Sequence, residues 1–86
     1  MGIEAIRQAA GITSETTTEM RGALQHVVAL AEQLMGTLHS AVGESGQPEV
    51  QQALGVLQQL ATTDIPQMQG ALDMVTSAIS EYAARL

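Results

Sequence analysis

Two histidines are the side chains best suited to chemistry in this sequence, and their spacing predicts no shared site. His26 and His39 are thirteen residues apart, which is about 140° around a helix. Neither has a carboxylate three residues before it, so the Glu-x-x-His arrangement that holds metals in helical bundles is absent. We therefore expect no metal site and two solvated histidines.

The hydroxyl-bearing residues do not suggest catalysis either. Serines and threonines cluster at predicted caps and loops, where hydrogen bonding to the backbone accounts for them. The segment Gly43-Glu44-Ser45-Gly46 has the glycines of a phosphate loop but lacks the lysine and a preceding strand. No nucleophile has a base at a supporting spacing. The sequence therefore predicts a protein that is not an enzyme, with no cofactor and no small-molecule substrate.

The charge balance excludes further classes of function. Nine carboxylates face three arginines, there is no lysine, and the formal net charge is −6. Nucleic-acid binding needs clustered positive charge, and Tyr82 is the only aromatic side chain available for stacking. No segment is apolar enough for a membrane span or resembles a signal peptide. We expect a protein that is cytoplasmic or is secreted by a route that reads no N-terminal signal.

One break divides the chain into two helical segments of nearly equal length. Gly43, Gly46 and Pro48 fall within six residues, and such a cluster indicates a turn or loop. Pro48 also suits the first turn of the second helix. The sequence predicts an all-α fold with one domain over 1–86, composed of a helix over about 3–42, a turn over 43–47 and a helix over about 48–86. Equal segments joined by a short loop favour an antiparallel helical hairpin.

Two places within these helices are predicted to be irregular. Within a Thr-rich run at 13–18, Thr16 followed by Glu19 matches a capping box. Residues 1–13 therefore either form a separate short helix or fray, with the main helix beginning near residues 14–17, or they continue into the main helix. In the second segment, Pro66 removes a backbone hydrogen bond. This predicts a kink or break near residues 62–66.

Seam positions recur at alternating steps of three and four residues, as a coiled-coil seam requires. In the first helix the predicted seam consists of Ile3, Ile6, Ala10, Thr13, Thr17, Met20, Leu24, Val27, Ala31, Leu34, Leu38 and Ala41. In the second helix the seam is predicted to shift through a stutter of four residues. Its members are Val50, Leu54, Leu57 and Ala61, followed by Ile65, Met68, Leu72, Val75, Ile79, Tyr82 and Leu86.

A second apolar stripe flanks this seam and contains Val28, Leu30, Met35 and Val42, with Leu60 on the second helix. Two helices share only one seam, so this stripe is left over, and a contiguous apolar patch is unusual on a soluble monomer. Covering a large aliphatic side chain stabilises by about 1.5–3 kcal/mol. The sequence therefore predicts pairing into a dimeric four-helix bundle, with a second copy or with a similar hairpin.

The residues predicted to form the interface are drawn from both stripes. They are Leu24, Val27, Val28, Leu30, Leu34, Met35, Leu38, Leu57, Leu60, Met68, Leu72, Val75 and Ile79. Tyr82 is predicted to pack in the core through its heptad position, with a recognition role as the alternative. Ile12, Val56 and Met74 are predicted to face water, either as isolated apolar residues or as a second docking surface.

The outline resembles the small WxG-type (early secretory antigen-like) helical hairpins exported by bacterial type VII secretion systems. The resemblance covers the whole chain as architecture, through its length, two near-equal helices, acidic balance, absent cysteine and the turn glycines Gly43 and Gly46. The family's Trp-x-Gly motif is missing because the chain has no tryptophan, and Leu86 stands four residues after Tyr82 where the family has an acid. The resemblance implies a dimeric secreted effector or a companion protein that carries one.

The residues themselves predict a non-enzymatic protein–protein interaction module. A cytoplasmic scaffold or adaptor and a self-assembling structural subunit are the alternatives that the sequence leaves open. A large, concentration-dependent mass would distinguish the self-assembling subunit from the other two.

Overall fold

Two helical arms of similar length fold back on each other as a hairpin. The computed structural model describes residues 2–42 and 46–86. It confirms an all-α, hairpin-like chain, whereas residues 43–45 of the predicted turn lie outside the described residues. The first arm is α1, and the second arm contains α2, a π-helical turn and α3. Their bounds are Ile3–Val42 for α1, Pro48–Gln59 for α2, Leu60–Asp64 for the π turn and Ile65–Ala84 for α3.

The first arm is one uninterrupted helix of 40 residues, so the alternative of a separate short helix over 1–13 is wrong. The threonines that suggested a helix start donate their hydroxyls to the preceding turn instead. Thr17 Oγ1 lies 2.9 Å from the carbonyl of Thr13, and Thr18 Oγ1 lies 2.9 Å from that of Ser14. Such bonds are compatible with a helix interior, so the threonine run does not interrupt α1.

The irregularity predicted near residues 62–66 is a π turn, and the helix does not break there. The amide of Ile65 donates to the carbonyl of Leu60, five residues earlier. Pro66 has no amide hydrogen, and its ring would collide with the carbonyl of Thr62 in a regular helix. The wider π turn just before Pro66 relieves this conflict, and the Thr62 hydroxyl bonds back to the carbonyl of Gln58 at 2.7 Å.

The hairpin is long and thin, so it has little interior. It measures 61 × 15 × 15 Å with a radius of gyration of 19.0 Å, against about 12 Å for a compact domain of this length. Among the described residues, only Thr17, Ala31 and Ile65 are buried, at 4–6% exposure. A layer of two helices covers one stripe on each arm and leaves the remaining faces open.

The seam on α1 follows the prediction in its first part and then rotates by one position. Its covered residues are Ile6, Ala10, Thr13, Thr17, Arg21, Leu24, Val28, Ala31, Met35 and Leu38. Met20, Val27 and Leu34 were predicted in the seam and are exposed, as are Ile3 and Ala41. The prediction was wrong at these positions because a straight helix drifts by about 20° per heptad against a strict seven-residue repeat. From Thr13 to Thr17 and from Thr17 to Arg21 the covered positions are four residues apart twice in succession, as this drift requires.

The second arm shows the same rotation after the π turn. Its covered residues are Val50, Leu54, Leu57, Leu60, Ala61, Ile65, Gln69, Leu72, Thr76, Ile79 and Ala83. Met68, Val75, Tyr82 and Leu86 were predicted in the seam and are exposed instead. The prediction of a left-over stripe was likewise wrong for Val28, Met35 and Leu60. These three side chains are half-buried between the arms.

Candidate interaction surface

The middle of the seam between the arms is polar. The hydroxyls of Thr17 and Thr76 lie 3.0 Å apart, and Arg21 forms an ion pair with Asp73. Gln69 Nε2 donates to the carbonyl of Arg21 at 3.4 Å, while Gln69 Oε1 is buried and has no hydrogen-bond partner among the described residues. The arms therefore enclose hydroxyl, amide and guanidinium groups at the level where a two-helix protein would be expected to bury aliphatic side chains.

This polar section aligns the two arms more than it stabilises them. The side chains of Arg21 and Asp73 are 33% and 64% exposed, and ion pairs this exposed contribute between zero and about 1 kcal/mol. A hydroxyl pair such as Thr17–Thr76 contributes about 1 kcal/mol net. These directional contacts place Thr17 level with Thr76 and Arg21 level with Asp73, which defines the register of the hairpin.

One long side of the hairpin carries most of the large exposed apolar side chains. We call this side the apolar face. On α1 its members repeat every seven residues, and on the second arm they follow the same repeat beyond the π turn. The members are Met20, Ala23, Val27, Leu30 and Leu34 on α1, and Ala53, Val56, Met68, Ala71, Val75, Ala78, Tyr82 and Leu86 on the second arm. Their large side chains are between 37% (Val27) and 62% (Val56) exposed.

Two open depressions on this side show that both arms contribute to the same surface. The middle depression, of about 220 Å³, is lined by Met20, Leu24, Met68, Ala71 and Leu72. The loop-half depression, of about 550 Å³, lies nearer the turn. Its lining is Leu34, Leu38, Ala53, Val56 and Leu57, with Glu49 and Gln52 at its edge. The apolar face is therefore a grooved strip rather than a flat surface.

The opposite side has a different character, and we call it the polar face. It carries a depression of about 500 Å³ beside the π turn. Gln25, Gln69 and Asp73 supply amide and carboxylate groups to that depression, alongside the apolar Val28, Ala61, Ile65, Pro66 and Gly70. Further hydrophilic residues continue this side along both arms. They are Ser14, Thr18, Glu32, Ser77 and Ser80, all of which are exposed.

The thirteen residues predicted to form the interface divide into two groups. Five of them are exposed on the apolar face, and eight are half-buried between the arms. The exposed five are Val27, Leu30, Leu34, Met68 and Val75. The half-buried eight are Leu24, Val28, Met35, Leu38, Leu57, Leu60, Leu72 and Ile79. Contact with a partner stays a prediction for all of them, but only the exposed five have large areas still available to one.

Val56 was weighed both as an isolated surface residue and as part of a second docking surface. Three other large members of the apolar face were missed, because Met20, Tyr82 and Leu86 were assigned to the seam. The signal that could have found them is the phase drift of long helices. If this drift is applied from Thr17 onwards, Met20 moves out of the seam. Val27 and Leu34, which occupy the same heptad position as Met20, move out with it.

Neither histidine lies in a cluster of metal-ligating side chains among the described residues. His26 and His39 are both exposed, and no group of three or more histidine, aspartate or glutamate side chains in the described ranges is arranged to hold a metal ion. No helix of the described arms combines the length and apolarity needed to cross a membrane. Comparisons with protein-family models, curated proteins and solved structures returned no match.

Proposed function

We propose that this protein is a non-enzymatic interaction module that completes its core by laying its apolar face against another helical hairpin, forming a four-helix bundle. The observation that supports this most directly is the division of residues between seam and surface. The arms enclose Arg21, Gln69 and Thr76, while Met20, Met68 and Val75 stay exposed one position away. In an isolated hairpin the opposite choice would bury more apolar area.

The surface area supports the same proposal. The chain exposes 6197 Å², whereas a compact monomer of its mass of 9.0 kDa exposes about 4,900 Å². The excess, about 1,300 Å², exceeds the roughly 800 Å² that one partner buries in an interface of standard size. One long interface along the apolar face would therefore bring the exposed surface into the range of ordinary folded proteins.

Concentration dependence tests the proposal on the purified chain. Because burial of the apolar face stabilises the fold only in the complex, the melting temperature should rise with protein concentration. We expect circular dichroism melts between about 1 and 100 μM to shift upwards, and sedimentation equilibrium to give twice the mass of 9.0 kDa. The same chain mixed with its native lysate should show whether a different hairpin competes for the face.

Two outcomes would contradict the proposal. One is a well-ordered monomer that melts at the same temperature at every concentration and that captures no helical partner. The other is an assembly unaffected when Leu30, at 49% exposure on the apolar face, is changed to Asp. Gln25→Asp, on the polar face, serves as the matched control because it adds the same charge at a similar level of α1.

The resemblance to WxG-type hairpins gives the proposed module a biological setting. On that resemblance, we propose that it acts as an effector or companion protein of type VII secretion. Detecting the protein in the medium of unlysed native cells, with a cytosolic enzyme as the lysis control, tests this setting. Retention inside the cell would favour a scaffold or adaptor, and a mass that keeps growing with concentration would favour a self-assembling subunit.

A further inference from the structure

We propose that the loop-half depression is a receptor for Tyr82 of a second copy of this chain, bound antiparallel across the apolar face. The inference rests on the proposed function and adds the identity of the partner and its orientation. Tyr82 is the only aromatic residue of the chain and is 50% exposed. Aromatic side chains of this kind are the commonest anchors of protein interfaces, because they combine a large apolar ring with a polar tip.

The register of the hairpin puts Tyr82 at the required height. Thr17 lies opposite Thr76, so Tyr82, six residues after Thr76, is level with residue 11 of α1. The middle of α1, which spans Ile3–Val42, falls between residues 22 and 23. Residue 11 lies about 17 Å to one side of that point and Leu34 about 17 Å to the other, at 1.5 Å per residue.

A two-fold axis through the middle of the apolar face and perpendicular to the arms therefore superimposes these two levels. Tyr82 of each copy becomes level with Leu34 of the other copy, so the dimer contains two equivalent pairs of these residues. The same axis sets second arm against second arm, and the second arm supplies Ala53, Val56 and Leu57 to the loop-half depression. The ring thus meets the aliphatic side chains that line this depression.

The charges favour the antiparallel orientation. Arg7 and Arg85 lie at the open end of the hairpin, and no arginine or lysine occurs between Arg21 and Arg85. The loop half carries Glu32, Glu49 and Asp64 and no lysine or arginine. An antiparallel pair brings Arg85 of one copy towards Glu49 of the other. A parallel pair would place the acidic loop halves side by side, within range of repulsion at a Debye length of about 8 Å.

The middle of the face also suits a two-fold axis. The middle depression is lined by Met20 and Met68, which lie within about 5 Å of the midpoint at 1.5 Å per residue. The same side chains from both copies would meet there. Methionine tolerates such self-contact because its unbranched side chain adapts to irregular gaps.

Tyrosine fluorescence gives a direct test, since the chain has one tyrosine and no tryptophan. On dilution through the dissociation constant, quenching of Tyr82 by acrylamide should increase by about threefold or more as the ring leaves its receptor. Val56→Glu should produce the same increase at high concentration. Val56 lines the depression together with Leu34. Along the second arm it lies about 39 Å from Tyr82 of its own chain at 1.5 Å per residue, so a response of Tyr82 requires contact between copies.

Affinity variants separate the ring from its hydroxyl. Tyr82→Ala should raise the dissociation constant by about 100-fold or more, as expected for a central aromatic anchor. Tyr82→Phe keeps the ring and should raise it by less than about tenfold. Met74→Ala is the matched control, because Met74 is 74% exposed and lies off the apolar face. It should change the constant by less than about threefold.

A spin label at His39→Cys measures the orientation, and the label is unique because the chain has no cysteine. His39 is exposed and lies 16 to 17 residues from the middle of α1. The two labels of an antiparallel dimer should therefore be about 50 Å apart. In a parallel dimer they should be within about 30 Å, because each hairpin is 15 Å thick.

Each result decides the inference separately from the proposed function. A dimer with labels about 50 Å apart and a shielded Tyr82 supports both. A dimer with close labels, or with Tyr82 quenched equally at all concentrations, overturns the Tyr82 receptor and leaves the interaction module standing. A chain that stays monomeric alone but pairs with another hairpin overturns the second copy as partner. A monomer without any partner overturns both.

Discussion

The two long sides of the hairpin are made by the same two helices and differ in the side chains that they expose. The apolar face exposes methionine, valine, leucine and tyrosine side chains with no ion pair among them, whereas the polar face lies beside the Arg21–Asp73 pair and carries Gln25 and Glu32. A helix pair in isolation has no reason to be so one-sided, because both sides would meet the same solvent. The asymmetry supports the proposal that the apolar face meets a partner while the polar face meets solvent.

The seam between the two faces teaches a second point. Its middle encloses Thr17, Gln69 and Thr76, and each of these has a large apolar neighbour on the exposed side within a turn. Directional contacts in the seam specify how the arms align, and nondirectional apolar contacts are kept for the outside. Polar groups that specify a register at some cost in stability are known from coiled coils. If the proposed function is right, the polar groups in this seam leave the larger hydrophobic gain to association.

The strongest way to break the asymmetry is a charge on the apolar face, within the loop-half depression. We expect Leu34→Asp to weaken association by more than about 3 kcal/mol per dimer. Each copy loses roughly 1 kcal/mol of remaining leucine burial, and two carboxylates must be desolvated or left unpaired. The resulting monomer should be largely unfolded, with reduced helicity by circular dichroism and a monomeric sedimentation mass. Gln25→Asp on the polar face should keep the helicity and the dimeric mass of the unchanged protein. A stable helical monomer from Leu34→Asp would contradict this reasoning.

A medium-sized effect is expected from the seam. Thr17→Val should destabilise the fold by about 1–2 kcal/mol, because the Thr76 hydroxyl loses its partner in a largely covered position. Adding Thr76→Val should recover most of that loss, since two apolar groups of the same shape replace the pair. Chemical denaturation of the four proteins completes a double-mutant cycle. A double variant as unstable as the sum of the single variants would show that the two hydroxyls do not act as a pair.

The smallest effect is expected on the side away from the apolar face, where both helices contain glycines. A Cβ built at Gly36 or Gly55 meets nothing within 4 Å, so alanine at either position should stabilise the fold by about 1 kcal/mol or less. The dissociation constant should not change. Ala71→Leu provides the contrast, because Ala71 lines the middle depression and a larger side chain there should weaken association. A weaker dimer from Gly36→Ala would place the interface on the wrong side.

Much of the architecture could be predicted because it depends on local signals. The glycines and the proline mark the turn, the loop-side helix ends fall at Val42 and Pro48, and Pro66 predicted the irregular turn. Seam positions such as Leu24, Ala31 and Leu72 follow from their spacing alone, since they lie at the centre of any helical stripe drawn through them. The threonine run near Ser14 misled the prediction, because a hydroxyl caps one helix and bonds inside another with equal ease.

The candidate site was only half predictable from the residues. Leu30 was predicted at the interface and is exposed on the apolar face. Leu34 and Met68 were also predicted at the interface. Like Met20 and Tyr82, however, they were placed in the seam, and the structure exposes all four. Neighbouring positions on a helix surface differ by small rotations, and both alternatives present an apolar stripe. The sequence pattern is therefore almost equally compatible with two rotations of each helix about its own axis. Residues at the edge of the apolar stripe could not be assigned to the seam or to the exposed surface.

The sequence by itself determined that this chain forms two long helices with more apolar surface than one pair of helices can cover. The tertiary structure alone decided which stripe turns inward. Helix formation is local, because each hydrogen bond reaches only four residues along the chain. The local sequence is therefore enough to predict it. The rotation of one helix against another depends on contacts such as Thr17 with Thr76 and Arg21 with Asp73. Those contacts join residues more than fifty positions apart, and they exist only once the arms have met.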